Sequence, residues 1–576
     1  MSGSAVVATL SAAVSGTQAP TGWRCVRLVV KERIARPYRV TLDFLATEAG
    51  VNPASVIGTG FDVTYAWNNG ISGQSGQRRW SGTLTQLTYM GRVHDTRFPV
   101  HYRAALVPSL ALAGMTRRSR AFVAPPDPGT CTVKDVLARL VQELGQTADQ
   151  TNILDTSYPP RPFFTQYAES DLDFLSRLVE TFGISFFWTA DTGQGSRLLF
   201  TDNENGFQPI DPVPPGGSTP GTLPVNPNAG PASGVRAVHR LTMRFGQVPA
   251  SATTLTWKPP TAPGADGTMQ SGTWPIAGEQ AKQRFGLMPV EASTTEFREE
   301  PIISVDTAWT GTSTATIDPR AWWDRLAQIR MEEASVGRAQ LHGHSNLEGL
   351  FAGCAIRFDY QDSALGLVPQ YDVNGYLVYA ITHTVMAQGS ELCFPAQDGV
   401  PDGGTLYVNR FRAMPAMVTG AGAETGFSYR PPRRTAVPAI ATLHHATLVT
   451  GVEGQASPDL DTAGQYLVMP DFPLENVSGT GDPPKGLRMP KLHHHGLTSI
   501  ALGGSTRAPA GLHMPMRPGQ AVLVGFVAGD PDRPFIAGLL PDAAQPSPVS
   551  STVASLPRQS VLRTASGLTI RLTDSV

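Results

Sequence analysis

Charge is scarce in this chain of 576 residues: Asp, Glu, Lys and Arg supply 16% of it and leave a net charge of only −2. So even a balance sets up no basic field to draw in nucleic acid or anionic lipid. Cysteine is scarcer. Cys25, Cys131, Cys354 and Cys393 stand far apart with no CxxC pair, and read as buried thiols of a protein folded in a reducing compartment. Long apolar runs are missing, since nothing approaches the ~20 residues that a membrane span needs. The opening MSGSAVVATLSAAVSGTQAP has neither a basic start nor a Leu-rich stretch. It predicts a disordered tail over residues 1–22, with a cleaved signal as the second reading.

Signatures of catalysis are missing too. HExxH, GxSxG, a P-loop and a GxGxxG between strand and helix are all absent. His493, His494 and His495 are adjacent, but on a strand only His493 and His495 would share a face, and no Cys or carboxylate set accompanies them. The pairs His342/His344 and His444/His445 are weaker still, and all seven read as ordinary strand or loop histidines. No catalytic, cofactor-binding or metal-ligating residue is assigned, and no cofactor is expected.

What is abundant is glycine, proline and alternation. With 58 Gly and 49 Pro, the chain suits many short strands joined by tight turns, and its length suits three or four domains. Tyr38, Val40, Leu42 and Phe44 alternate with Arg39, Thr41 and Asp43; FDVTYAW, RRWSGTLTQLTYM and FPVHYRAALVP repeat the pattern. Antiparallel strands of this kind imply a barrel or sandwich.

Two amphipathic helices interrupt them. In the first, Thr132 caps with Asp135 in the capping-box position; Val133, Val136, Leu137, Leu140 and Leu144 form the stripe, and Gly145 ends it. In the second, Ser170 caps, Asp171 and Asp173 suit the first-turn dipole, Leu172, Leu175, Val179 and Phe182 face inward, and Gly183 stops it. Dipole and capping roles explain the two aspartates better than a catalytic carboxylate pair does. ISFFW and RLLFT then read as a hairpin. Residues 203–233 read as a Pro/Gly linker or long surface loop, and a third helix begins with Asp318 as cap and Pro319 in its first turn.

The segment Tyr167–Trp188, YAESDLDFLSRLVETFGISFFW, resembles the signature of the VgrG family, the spikes of type VI secretion related to myophage tail hub and spike proteins. Upstream, SRAFVAPPDPGTCTVKDVLARLVQE resembles the same family, as do YVNRFRAMPA, YRPPRRTAVPAI and RPGQAVLVGFVAGDPDRPFIAGLL in the family's order. The resemblance runs from about Cys25 to Leu540. It implies a mainly β fold with minor α: two hub β-barrel-like domains with inserted helices, an OB-fold neck and the start of a trimeric β-prism.

The expected domains are a tail over 1–22, a hub domain with the first barrel and an α/β insert over 23–230, a second hub barrel over 231–428, a neck over 429–545 and a prism start over 546–576. The last segment, SVLRTASGLTIRLTDSV, is expected to be the first strands of that prism, truncated in the chain given or, as the second reading, abbreviated. Gly529–Pro534, between two strands, reads as a rigid connection that holds register and has no direct function.

The resemblance further implies a non-enzymatic homotrimer that adapts a six-fold inner tube of Hcp-like protein to a three-fold spike. Baseplate components, a PAAR-like tip cap and effectors are its other expected partners; nucleic acid is not. The expected location is the bacterial cytoplasm before firing, and a target cell or the medium afterwards. A phage-tail or extracellular-particle hub is the alternative, and a spike with cell-wall hydrolase activity a further one.

Overall fold

The computed structural model describes residues 8–14, 22–68, 75–124, 130–146, 148–153, 158–189, 196–207, 210, 222–228, 235–246, 249–258, 268–275, 293–299, 319–360, 375–387, 389–394, 406–415, 429–451, 457–461, 464–479, 481–482, 484–493, 498–501, 507–510, 513–547, 559–564 and 566–573. The chain is mainly β, as the alternation predicts.

Six strands make the first barrel: β1 (Ala8–Val14), β2 (Trp23–Arg33), β3 (Arg36–Ala46), β4 (Gly60–Asn68), β5 (Ser75–Arg92) and β6 (Val100–Val107). Their order is β1-β4-β5-β6-β3-β2, all antiparallel, and the sheet curls until β1 returns beside β2. The period of two explains it. Tyr38, Val40, Leu42 and Phe44 are buried on the inner face while Arg39 is exposed. Asp43 departs from the pattern. It is fully buried, and accepts from Arg103 Nε at 2.9 Å with His101 Nε2 at 3.1 Å, both on β6. Residues 8–14, expected in a disordered tail, instead pair with β4 from Ala8↔Trp67 to Val14↔Phe61.

An α/β insert follows. It holds β7 (Arg118–Val123), α1 (Val133–Glu143), β8 (Ala148–Asn152), β9 (Phe163–Glu169), α2 (Asp171–Phe182), β10 (Ser185–Trp188) and β11 (Leu198–Thr201). Helix α1 opens with the predicted capping box: Asp135 Oδ2 accepts from the Thr132 backbone at 2.7 Å. Ser170 Oγ caps α2 by accepting from the Asp173 amide at 3.0 Å, and Gly183 ends it at φ 69°. Glycine suits that left-handed position because a side chain there is strained. The inward face of α2 differs in part from expectation. Phe174, Leu175, Leu178, Val179 and Phe182 are buried, and Leu172 is only half-buried, because α2 is enclosed on nearly every side and buries Arg177 and Glu180 as well. The predicted hairpin pairs Ser185 with Thr201 and Trp188 with Leu198.

The second barrel uses β12 (Thr222–Val225) and β13 (Val238–Phe245) before an excursion through β14 (Pro249–Lys258), β15 (Thr268–Pro275), β16 (Ser293–Glu299) and α3 (Pro319–Ser335). It resumes with β17 (Ala339–Ser345), β18 (Ala355–Tyr360), β19 (Tyr376–Met386) and β20 (Leu406–Pro415). The order β19-β18-β12-β13-β17-β20 closes because β20 also pairs with β19. Strand β12 lies within the stretch read as a linker, and it runs parallel to β18; four residues are too few to show alternation. Asp318, the expected cap of α3, lies outside the described residues. Since β19 also pairs with β2, one twelve-stranded sheet runs through both barrels.

The C-terminal region holds β21 (His444–Leu448), β22 (Tyr466–Pro470), β23 (Leu474–Asn476), β24 (Leu487–Met489), β25 (Thr498–Ala501), β26 (Arg507–Ala510), β27 (Ala521–Phe526), β28 (Pro534–Leu539), β29 (Gln559–Arg563) and β30 (Thr569–Thr573). Five of them form a sheet in the order β24-β22-β21-β27-β28, and a parallel bridge from Lys491 to Ile536 closes it into a small barrel. Strands β25/β26 and β29/β30 are separate hairpins.

Candidate functional site: the junctions between barrels

Two of the four cysteines, Cys131 and Cys354, are buried and two are half-buried; all four are free thiols. Burial pushes Cys131 and Cys354 up to about 12 and Cys393 to about 11, so their thiols stay protonated and unreactive at neutral pH. Among the described residues no three of His, Cys, Asp and Glu gather as metal ligands. His493 lies 6.1 Å from the His513 ring, while His494 and His495 lie outside the described residues. His344 sits between Arg240 and Arg410, and His342 faces Arg412 with Arg244 nearby, cations that repel a metal ion. His444 Nε2 is 2.9 Å from Tyr167 Oη and its Nδ1 is 3.4 Å from Asp471.

Asp171 is saturated. It accepts from Arg120 Nη2 at 3.2 Å, Gln166 Nε2 at 2.9 Å and Thr116 Oγ1 at 2.8 Å. A carboxylate so occupied holds a fold together and is poorly placed to move a proton to a substrate. Asp173 stays at the helix start beside Ser170.

The charged residues instead concentrate where structural units meet. Between the two barrels, Glu32 of β2 accepts from Arg78 Nη2 and Trp80 Nε1 of β5, each at 2.7 Å, and lies 3.7 Å from His383 Nε2 of β19. Burial alone would raise the Glu32 carboxyl. Arg78, His383 and Trp80 outweigh it and bring it down to about 2. Glu348 shows the opposite balance, since burial lifts it to about 7 although Arg236 lies 2.7 Å away.

Between the insert and the C-terminal barrel, Arg120 of β7 is the central group. Only 1% of it is exposed. It donates to Gln166 at 2.8 Å, Glu143 at 2.8 Å, Glu475 at 3.2 Å and Asp171. Its guanidinium lies over the Phe122 ring. Glu475 belongs to β23, which pairs in parallel with β7 from Leu474↔Ala121 to Asn476↔Val123. A strand of the C-terminal region thus completes a sheet of the insert. The Gly529–Pro534 turn docks beside it: Asp532 accepts from the Thr165 amide at 2.7 Å and from Arg161 Nη1 at 3.2 Å. The turn therefore clasps a neighbouring unit as well as holding register.

Asp532 gives a pH expectation. Burial, then the adjacent Asp530, lifts its carboxyl from 3.8 to about 6 against Arg161 and Arg177. A folded-state value above the unfolded one means that ionisation opposes folding, so this site gains stability as pH falls from about 6 toward 3.8. Asp532→Asn should flatten that part of a thermal-unfolding profile. Glu32 works the other way: its contribution is present above 4.5 and is lost as pH falls toward about 2. A profile in which Asp532→Asn matches the wild type across pH 6 to 4 would show that the carboxyl does not titrate there.

The third junction is the segment 429–435. Tyr429 stacks on Tyr379 at 5.9 Å, and buried Arg430 donates to Glu332 at 2.6 Å and to the carbonyls of Gly183 and Asp202 at 2.6 and 2.7 Å. Glu180 accepts from the amides of Arg434 and Thr435, each at 2.9 Å. YRPPRRT reads in sequence as a proline-dense boundary within the family resemblance; its arginines find partners from about a hundred to more than two hundred residues away.

Residues 31–390 match the family model of the phage tail baseplate hub (GPD). The type VI secretion system spike protein VgrG4b of Pseudomonas aeruginosa is 25% identical over 532 residues, covering 90% of this chain and 54% of that protein. The actin cross-linking toxin VgrG1 of Vibrio cholerae is 25% identical over 463 residues, covering 80% and 35%. The chain thus spans about half, or less, of the length of these curated relatives. The solved structure of the E. coli c3393 protein, a component of the type VI secretion system, shares the fold: TM-score 0.54 at 18% identity, covering 92% of this chain and 99% of that one.

Proposed function

The chain belongs to the phage tail baseplate hub family, and from that premise we propose that it is the hub and neck of a trimeric spike in a contractile injection machine of the type VI secretion kind. The observation that carries the proposal is the pair of six-stranded barrels fused edge to edge through β2 and β19. Three such chains supply six similar units around a three-fold axis, so a six-fold tube can seat beneath a three-fold point. The hexameric Hcp-like tube protein, a PAAR-like cap, baseplate components and effectors are the partners this geometry would serve. The cytoplasm before firing, and a target cell or the medium after it, are the places it would occupy.

Within this reading the hub domains are residues 8–210 and 222–428, which moves the expected bounds 23–230 and 231–428 so that β1 joins the first barrel and β12 the second; 429–545 is the neck and 546–576 the beginning of the prism. The strand order of the C-terminal barrel and its parallel Lys491–Ile536 bridge support an OB fold for the neck. The β29/β30 hairpin supports the prism. Its Leu562, Leu568, Ile570 and Leu572 are all exposed, and an isolated two-stranded hairpin is marginal in water, so other copies would cover it. The role is mechanical, not enzymatic. Light scattering of the purified chain should give a trimer; a stable monomer across micromolar concentrations would contradict the proposal.

A further inference from the structure

Although the whole chain is nearly neutral, the outer wall of the barrels carries an organised line of cations. Arg240 stands opposite His344, His344 opposite Arg410, Arg410 opposite Thr382, Thr382 opposite Lys31 and Lys31 opposite Arg39. Directly opposed residues share a sheet face. These six positions therefore form one row across six neighbouring strands, about 24 Å long at ~4.8 Å per strand. Two residues further on, Arg412 stands opposite His342, and Arg244 extends the patch along β13.

Lys31, Arg39, Arg240, Arg244, Arg410 and Arg412 are all exposed, whereas the alternate residues Leu341, Ile381, His383 and Phe411 are buried. None of these six cations makes an ion pair with a described residue, in contrast to the clasped arginines of the junctions. The two histidines contribute little charge at neutral pH, since burial and then the flanking arginines hold both below the ordinary histidine range. The positions between the cations on this face are small or neutral, among them Thr242, Ala380 and Thr382; none is a carboxylate and none is aromatic. Like charges placed side by side on a sheet oppose folding. An anionic partner would relieve that repulsion.

We propose that this face docks an acidic protein surface that presents Asp and Glu carboxylates to the row. Charge complementarity selects the anion, and guanidinium forks suit carboxylates through paired hydrogen bonds. A single-stranded nucleic acid fits less well, because the aromatic pair beside Arg412, Tyr379 with Tyr429 stacked on it, is buried and offers no open face on which bases could stack. The net charge of −2 also supplies no long-range field for a phosphate polymer. The inference stands on the sheet face alone and does not depend on the trimeric reading.

Fluorescence anisotropy of the full chain tests it, with a labelled oligoglutamate peptide and a labelled single-stranded DNA of equal charge as probes. The peptide should bind at low ionic strength and weaken as salt is added. Affinity should fall at least ~tenfold in the variant Arg240→Gln/Arg244→Gln/Arg410→Gln/Arg412→Gln. It should not change in Arg92→Gln, which removes an exposed arginine paired with Glu48 elsewhere on the first barrel. If the quadruple variant fails to fold by circular dichroism, Arg410→Gln/Arg412→Gln gives the same comparison. No peptide binding at low salt, equal loss in Arg92→Gln, or DNA bound through these arginines as tightly as the peptide would each overturn the proposal.

Discussion

Arg120→Met should cost about 3–5 kcal/mol, the penalty for removing one partner from a buried ionic cluster. The methionine fills much of the space over Phe122 but removes the one buried cation that Asp171, Glu143 and Glu475 share, leaving only the more exposed Arg118 on Asp171 and Arg139 on the two glutamates, and it takes the donor from Gln166. Because Glu475 lies on β23, the loss reaches the C-terminal barrel as well as the insert. Urea unfolding should show a lower midpoint. Arg120→Lys should fall between wild type and Met, since one ammonium restores charge but cannot serve four acceptors in a fork geometry. A cost below about 1 kcal/mol for the Met variant would put the cluster among ion pairs that contribute little.

Leu175→Ala is the second large effect, at about 2–5 kcal/mol for a fully buried leucine. Leu175 sits in the shared core with Phe174, Val179 and the hairpin rings of Phe186 and Phe187. Packing there braces the insert against both barrels, so the variant should lose stability and assembly together. An enzymatic spike would behave differently. In that case Asp171→Asn or Asp173→Asn would remove a peptidoglycan hydrolysis that the wild type shows, with assembly intact. Near-neutral Leu175→Ala would mean that the core collapses to fill the cavity.

Local signals were readable from the chain wherever the cause was local. The capping box at Thr132, the stop at Gly183 and the alternation of YRVTLDF each depend on neighbours within a few residues, and each appears as predicted. What escaped was every feature whose cause lies far along the chain. Asp43 looked like an outward polar residue, because its partners His101 and Arg103 stand on β6. Strand β12 was hidden by the Pro- and Gly-rich text around it, and it finds its main partner on β18, more than a hundred residues on. The Asp532 turn was legible as a connection but not as a clasp, since Thr165 lies 367 residues away. The cation row was the least legible. Its six cations come from four strands scattered between residues 31 and 412, and a whole-chain charge of −2 averages them away.

Strand β23 also fixes how this molecule could be exchanged piece by piece with its relatives. The core of the C-terminal barrel includes Ala121, Val123 and Phe163, which come from β7 and β9. A recombination breakpoint at the proline-dense boundary near Tyr429 would separate β23 from β7 and Asp532 from Thr165, although the text there looks like a seam. Swaps that keep fitness should instead carry β7, β9 and the C-terminal barrel from one parent. The unit of inheritance at this junction is spatial, and sequence order conceals it.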